Sequence, residues 1–154
     1  AVGSMILREI VMTTESMPLL LGLSKEGLTV ADRADDVRGY RVSDRNGDDI
    51  GEVDELIVED GKHIVRFLRV AAGGFLGLGK AKFLIPVGSI TSIDNTPDNT
   101  TVHIDRSREH VANGPPYDPD LINKAPHLTS VYDHYGLFPF WAPGYLPAGY
   151  PYYH

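Results

Sequence analysis

No cysteine occurs among the 154 residues. Disulfides and thiolate metal sites are therefore excluded, and nothing asks for an oxidising compartment, so a cytoplasmic protein is expected. Positive charge is also scarce: 14 Lys and Arg stand against 21 Asp and Glu, for a net charge of −7. A nucleic-acid backbone needs a basic footprint, so no nucleic-acid partner is expected. Long apolar runs are missing. The best, Met17-Pro-Leu-Leu-Leu-Gly-Leu23, carries a proline and falls far short of the roughly 20 residues that span a bilayer, so no integral membrane segment is expected. No signal-peptide pattern is evident. The histidines (His63, His103, His110, His127, His134 and His154) form no helical ligand pair, and no metal or other cofactor is expected. Arg106-Ser107-Arg108 with His110 lacks the elbow that presents a catalytic serine. An enzyme is not indicated.

What is present is an ordinary apolar content of 42%, enough for a folded domain. Ala1 to Ser4, ahead of Met5, read as a cloning scar. Residues 5–27 are an arm without sustained period, with a short strand expected near Ile6–Met12. From Leu28 to Asp105, short runs of Val, Ile, Leu and Phe alternate with Asn-Gly, Asp-Gly, Gly-Gly and Pro-Asp-Asn. No long stretch there carries helical period, so many short strands in a sandwich or small barrel are expected. Ser107 is placed to cap a helix over Arg108–Asn113, closed by Gly114-Pro115. Asp118-Pro119 reads as the start of a second, over Asp120–Lys124, stopped at Pro126.

The final region, 125–154, has a different composition. Nine of the fourteen aromatics lie from Tyr132 onward, and Pro139, Pro143, Pro147 and Pro151 recur every fourth residue. That spacing forbids a regular helix and reads as an extended, polyproline-like tail. No Lys or Arg follows Lys124, so the aromatics do not read as a platform for single-stranded nucleic acid.

Three local patterns carry candidate chemistry. Glu59-Asp60-Gly61-Lys62 reads as a hairpin with a two-residue Asp-Gly turn. That register would set Glu59 against Lys62, Glu55 against Arg66 and Glu52 against Arg69, with Ile57 meeting Ile64 and Val53 meeting Leu68. The inside–outside alternation is imperfect, which leaves room for a bulge. In the second pattern, Gly74, Gly79 and Lys80 have the spacing of a phosphate-binding loop. Ala81 stands where Ser or Thr would hold Mg²⁺, and Phe83-Leu-Ile-Pro86 reads as a strand where that motif needs a helix. A loop between two strands is expected, with Phe75, Leu76 and Leu78 as apolar residues at its tip. Third, Asp44, Asn46, Asp48 and Glu55 have the spacing of a calcium-loop ligand set, but Asp49 replaces the required glycine and the flanks read as strands. A hairpin tipped by Asn46-Gly47 is expected, with a weak cation site as the alternative.

Several segments together resemble the PRC-barrel family. They are Asp36-Val-Arg-Gly-Tyr-Arg-Val with Asp44-Arg-Asn-Gly, Ile50-Gly-Glu-Val-Asp-Glu-Leu-Ile-Val58, Val65-Arg-Phe-Leu-Arg-Val70, the Gly73–Gly79 loop, Leu84-Ile-Pro-Val-Gly88 and Ser107-Arg-Glu-His-Val-Ala-Asn-Gly-Pro115. The sequence is also similar to the cytoplasmic part of the photosynthetic reaction centre's H subunit, where a region like Val131-Tyr-Asp-His-Tyr-Gly follows the barrel. The resemblance implies an all-β, small, partly open barrel over 28–124, with one or two short C-terminal helices and the extended aromatic tail. It further implies a docking module rather than an enzyme. The expected function is a non-enzymatic protein-binding or assembly module, its partner another protein or a second copy of itself. The residues expected to carry it are Phe75, Leu76, Leu78, Tyr132, Tyr135, Phe138, Phe140 and Trp141. The alternative is a ligand-binding protein or enzyme with a pocket between barrel and tail, around Tyr132, His134 and Tyr135.

Overall fold

The computed structural model describes residues 20–24, 36–59, 64–72 and 81–143. The expected strand at Ile6–Met12, the Asp60-Gly61 turn, the Gly73–Lys80 loop with Phe75, Leu76 and Leu78, and the tail beyond Pro143 lie outside them. Seven strands are present: β1 (Leu20–Gly22), β2 (Arg41–Ser43), β3 (Asp49–Glu59), β4 (Ile64–Ala72), β5 (Ala81–Pro86), β6 (Ile90–Thr96) and β7 (Asn99–Ile104). Two helices follow, α1 (Arg108–Ala112) and α2 (Ala125–Tyr135). The sheet runs β5-β4-β3-β2-β7-β6, with β1 paired to the far end of β3 and no closure between the outer strands. Every pairing is antiparallel except β2 with β7. This is the small, partly open β-barrel that the family resemblance implied, and one of the two architectures, sandwich or small barrel, that the strand-and-turn pattern allowed.

The long β3 is the spine of the fold, and its composition explains why. Ile50, Val53, Leu56, Ile57 and Val58 are all buried, and Phe67, Leu68 and Val70 of β4 meet them in the core. Gly51 is the point of closest strand approach. A Cβ there would lie 2.0 Å from the Ala71 carbonyl oxygen, so no larger residue fits without moving the backbone. Ahead of β2, the segment Asp36-Val-Arg-Gly-Tyr makes a tight turn. Val37 is buried, Arg38 clasps Asp36, Gly39 takes φ +88°, and its N–H donates to the Val53 carbonyl at 2.7 Å.

The β3–β4 hairpin exists, but its register differs from the expected one. Glu59 lies opposite Ile64, Ile57 opposite Phe67, Glu55 opposite Arg69, Val53 opposite Val70 and Glu52 opposite Ala71. Two bulges, at Val53/Glu55 and Ile57/Val58, shift the pairing along the ladder. The register already departs at Glu59 opposite Ile64, with four residues rather than two between the partners, and the two bulges, for which the imperfect alternation left room, shift it by one residue and back. The acids still meet the basic strand, through different partners. Glu59 pairs with Arg66 at 2.8 Å, and Asp54 binds both Arg69 and Lys82 at 2.8 Å.

The C-terminal elements also depart from expectation. Ser107 caps α1 as foreseen, its hydroxyl accepting from the His110 N–H at 3.1 Å. Residues 118–123, however, form successive turns rather than a helix. The helix begins at Ala125, with Pro126 in its first turn. Proline there supplies a fixed helical φ and no missed hydrogen bond, so Pro126 is a start signal and not a stop. The helix extends through Tyr132 to Tyr135, where an extended tail was expected. It ends at Gly136, whose φ of +66° lets its N–H return to the Asp133 and Tyr132 carbonyls.

Candidate functional site

Of the expected interaction residues that the structure describes, Tyr132 and Tyr135 are buried, Phe140 is partly buried, and Phe138 and Trp141 are exposed. Leu128, Val131, Tyr132 and Tyr135 lie on one face of α2 and are buried in the core. The Tyr132 ring packs on Phe67 of β4 at 5.1 Å. Burial pushes the Tyr135 phenol well above its ordinary range, with Arg106 pulling the other way. These two tyrosines therefore anchor α2 to the barrel. Phe138 and Trp141, by contrast, are exposed, Phe138 by 60%.

The segment 137–143 reaches the surface by folding back on the barrel. The Leu137 N–H donates to the Tyr132 carbonyl at 3.0 Å, and Leu137 packs over Gly88. Phe140 lies over Arg66, its ring centroid 4.5 Å from the guanidinium carbon. Arg66 is itself fastened by Nε to Glu59, a buried carboxylate, at 2.9 Å. The ring of Phe140 meets Tyr132 at 6.4 Å and Trp141 at 5.0 Å, both edge-on, and Trp141 meets Tyr132 at 6.0 Å. These edge-to-face contacts hold the segment in place. Phe138 is left pointing outward on a rigid base. No charged residue lies between Gly136 and Pro143.

The end of α2 is held as firmly as its face. His110 Nε2 meets the His134 carbonyl at 2.7 Å, and His134 Nε2 meets the His110 carbonyl at 2.5 Å, with the two rings stacked at 4.1 Å. Arg106 donates to the Tyr135 carbonyl at 2.5 Å. The last carbonyls of α2 thus receive donors from α1 and from the segment before it, with the Arg106 cation at the negative end of the helix dipole. His134 is committed to this clasp, and Tyr132 and Tyr135 to the core. Those three residues do not converge on a ligand pocket.

The expected hairpin tipped by Asn46-Gly47 joins β2 to β3, and Asp44 has a further role in it. Asp44 is 3% exposed. Its Oδ1 accepts the N–H groups of Asn46 and Asp48, and its Oδ2 accepts the Arg108 N–H, each at 2.8 Å. The carboxylate therefore ties the Asn46-Gly47 turn, with Gly47 at φ +85°, to the start of α1. Its oxygens are engaged by backbone. Among the described residues, no group of three or more acidic or histidine side chains could hold a metal ion. Sequence spacing alone could not reveal this role, because one of the three donors lies 64 residues away.

The flanks of the Gly73–Lys80 loop are two antiparallel strands, with Ala72 opposite Ala81. A phosphate loop needs a helix after its lysine, and β5 stands there instead. Among the described residues, no helix is long and apolar enough to cross a membrane.

No curated protein matches the chain. The family model described as the PRC-barrel domain matches residues 30–109, slightly more than half of the sequence. Those residues include the Asp36–Tyr40 turn, the bulged β3–β4 hairpin with Gly51, and the β5-to-β7 run that completes the open barrel. Domains of this family are in general non-catalytic binding and assembly modules. The architecture and the family match agree, and the chain belongs to the PRC-barrel family.

Proposed function

We propose that this protein is a non-enzymatic assembly module whose docking face is the aromatic segment at 137–142, and that its partner is a second copy of the chain. One observation carries the reading. Phe138 is 60% exposed on a segment that Phe140, Trp141 and Leu137 fix against the barrel. An apolar side chain held rigidly outward gains more from cover than a mobile one, because little ordering entropy remains to be lost. Aromatic residues are also those that dominate the energetic centre of protein interfaces. The overall charge of −7 disfavours indiscriminate self-contact, but this segment is uncharged, so two copies meeting here avoid repulsion at the contact. A two-fold arrangement satisfies both faces at once. Phe75, Leu76 and Leu78 are further candidates on sequence grounds alone, and this docking face does not depend on them. A cytoplasmic setting accords with the cysteine-free sequence.

Size-exclusion chromatography with light scattering tests the reading. The wild-type chain should move from monomer to dimer mass with rising concentration. The double substitution Phe138→Ser with Trp141→Ser should remain monomeric while keeping its circular dichroism. A wild-type monomer at all concentrations, or an unchanged dimer in the double variant, would overturn it.

A further inference from the structure

A second feature is independent of the docking face. A cavity of about 280 Å³ lies between β1, the bulged part of β3 and the turns at 117–123. That volume is near the lower end of the roughly 300–1,000 Å³ typical of small-ligand pockets. Its apolar wall includes Leu20, Ile57 and Ile122, and its charged groups are Glu55 and Arg69.

Glu55 is 5% exposed, yet only one of its oxygens is bonded. Oε1 accepts the N–H groups of Ser24 and Leu56, each at 3.0 Å. Among the described residues, no hydrogen bond or cation reaches Oε2. That oxygen lies beside Gly22, also on the cavity wall, where a Cβ would come within 3.0 Å of it. Glycine at 22 therefore leaves it uncovered.

The natural partner is present on the same cavity wall but is bonded elsewhere. Arg69 is the cross-strand neighbour of Glu55, and opposite charges so placed ordinarily pair. Here Arg69 donates from Nε to Asp54 at 2.8 Å and lies over the Tyr117 ring at 5.1 Å. Burial works against its charge, but the bonds to Asp54 and Tyr117 outweigh it and hold the guanidinium above its ordinary pKa. Asn123 lines the same cavity but does not bond Glu55. Its amide bridges the Leu20 backbone, accepting at 2.7 Å and donating at 3.4 Å.

A buried carboxylate with one open oxygen is costly unless something supplies a donor. We propose that the cavity binds a small amine, with the ammonium group on Glu55 Oε2 and an apolar stem against Leu20, Ile57 and Ile122. A carboxylate ligand of the same size is disfavoured at Oε2, where it would meet the Glu55 charge, and Arg69 does not offset this because it is paired with Asp54.

Titration of the full chain by ¹H–¹⁵N correlation spectroscopy tests this with two probes of one carbon skeleton, 3-methylbutylamine and 3-methylbutanoate. The amine should shift the Leu20, Gly22, Leu56 and Asn123 amides saturably, and the anion should not. Glu55→Gln keeps an oxygen for both backbone N–H groups and removes the charge, so it should weaken the amine by about tenfold or more. Absence of saturable shifts with the amine, equal binding of the anion, or unchanged affinity in Glu55→Gln would each overturn the proposal. If Glu55→Gln loses the dispersed spectrum of a folded chain, Ile122→Trp fills the cavity from its partly exposed wall instead. Retained amine binding in that variant would also overturn it.

Discussion

Removing the Asp44 carboxylate should unfasten the barrel from its first helix. Asp44→Ala strips the acceptor from three backbone N–H groups, those of Asn46, Asp48 and Arg108. Hydrogen bonds to a charged group contribute about 1.5–3 kcal/mol each, a gross loss of roughly 4–9 kcal/mol. Two corrections reduce it. The variant no longer has to desolvate a carboxylate that is 3% exposed, and water can reach the donors at the exposed turn residues Asn46 and Asp48. A net destabilisation of about 3–4 kcal/mol remains. Asp44→Asn should cost less, about 1.5–3 kcal/mol, because its oxygen still serves the turn while its amide faces the Arg108 N–H. Urea unfolding followed by Trp141 fluorescence reads both. The slope in urea is typically about 1–3 kcal/mol per molar, so at a mid-range slope of about 2 the midpoint for Asp44→Ala should fall by about 1.5–2 M. A loss below about 1 kcal/mol in Asp44→Ala, or equal losses in the two variants, would refute the claim that this carboxylate joins turn to helix.

Other expectations follow from the same geometry. Gly51→Ala places a methyl 2.0 Å from the Ala71 carbonyl oxygen, and should cost at least about 2–3 kcal/mol in the same urea assay. Burial raises the Asp36 carboxyl, but the side-chain and backbone bonds from Arg38 outweigh it and hold the group below its ordinary 3.8. Its stabilisation is therefore present above pH 3.8 and is lost as pH falls through the lower folded value, so the gap in melting temperature between wild type and Asp36→Asn should shrink below that pH. The pair is partly solvated, and the gap at neutral pH should correspond to less than about 1 kcal/mol. A chain ending at Lys124 loses Leu128, Val131, Tyr132 and Tyr135 from the core and should show no cooperative unfolding, whereas one ending at Leu137 should keep it.

Most of the described strands were legible in the sequence, because Val, Ile and Leu runs end at Asn46-Gly47 and at proline signals that have local causes. The sequence also disclosed the Ser107 cap, which depends only on residues within one turn. Features that depend on distant contacts were hidden. The β3–β4 register is offset already at Glu59 with Ile64, and the imperfect alternation left room for a bulge without placing the two at Val53/Glu55 and Ile57/Val58. The strand β1 is three residues long and exists through its pairing with Ile57–Glu59. Helix α2 begins after Lys124 without a side-chain cap, so Pro126 was the only start signal and resembled a terminator. For the candidate surface, aromatic enrichment pointed to the right stretch of chain. It could not separate the core tyrosines 132 and 135 from the outward Phe138, because that division comes from α2 packing on Phe67.

Hydrogen–deuterium exchange of the wild-type chain at low and high concentration tests the docking face most directly. Protection gained on association should be confined to peptides covering Leu137 to Ala142. Association that protects a different surface, or that leaves these amides exchanging at the monomer rate, would contradict it.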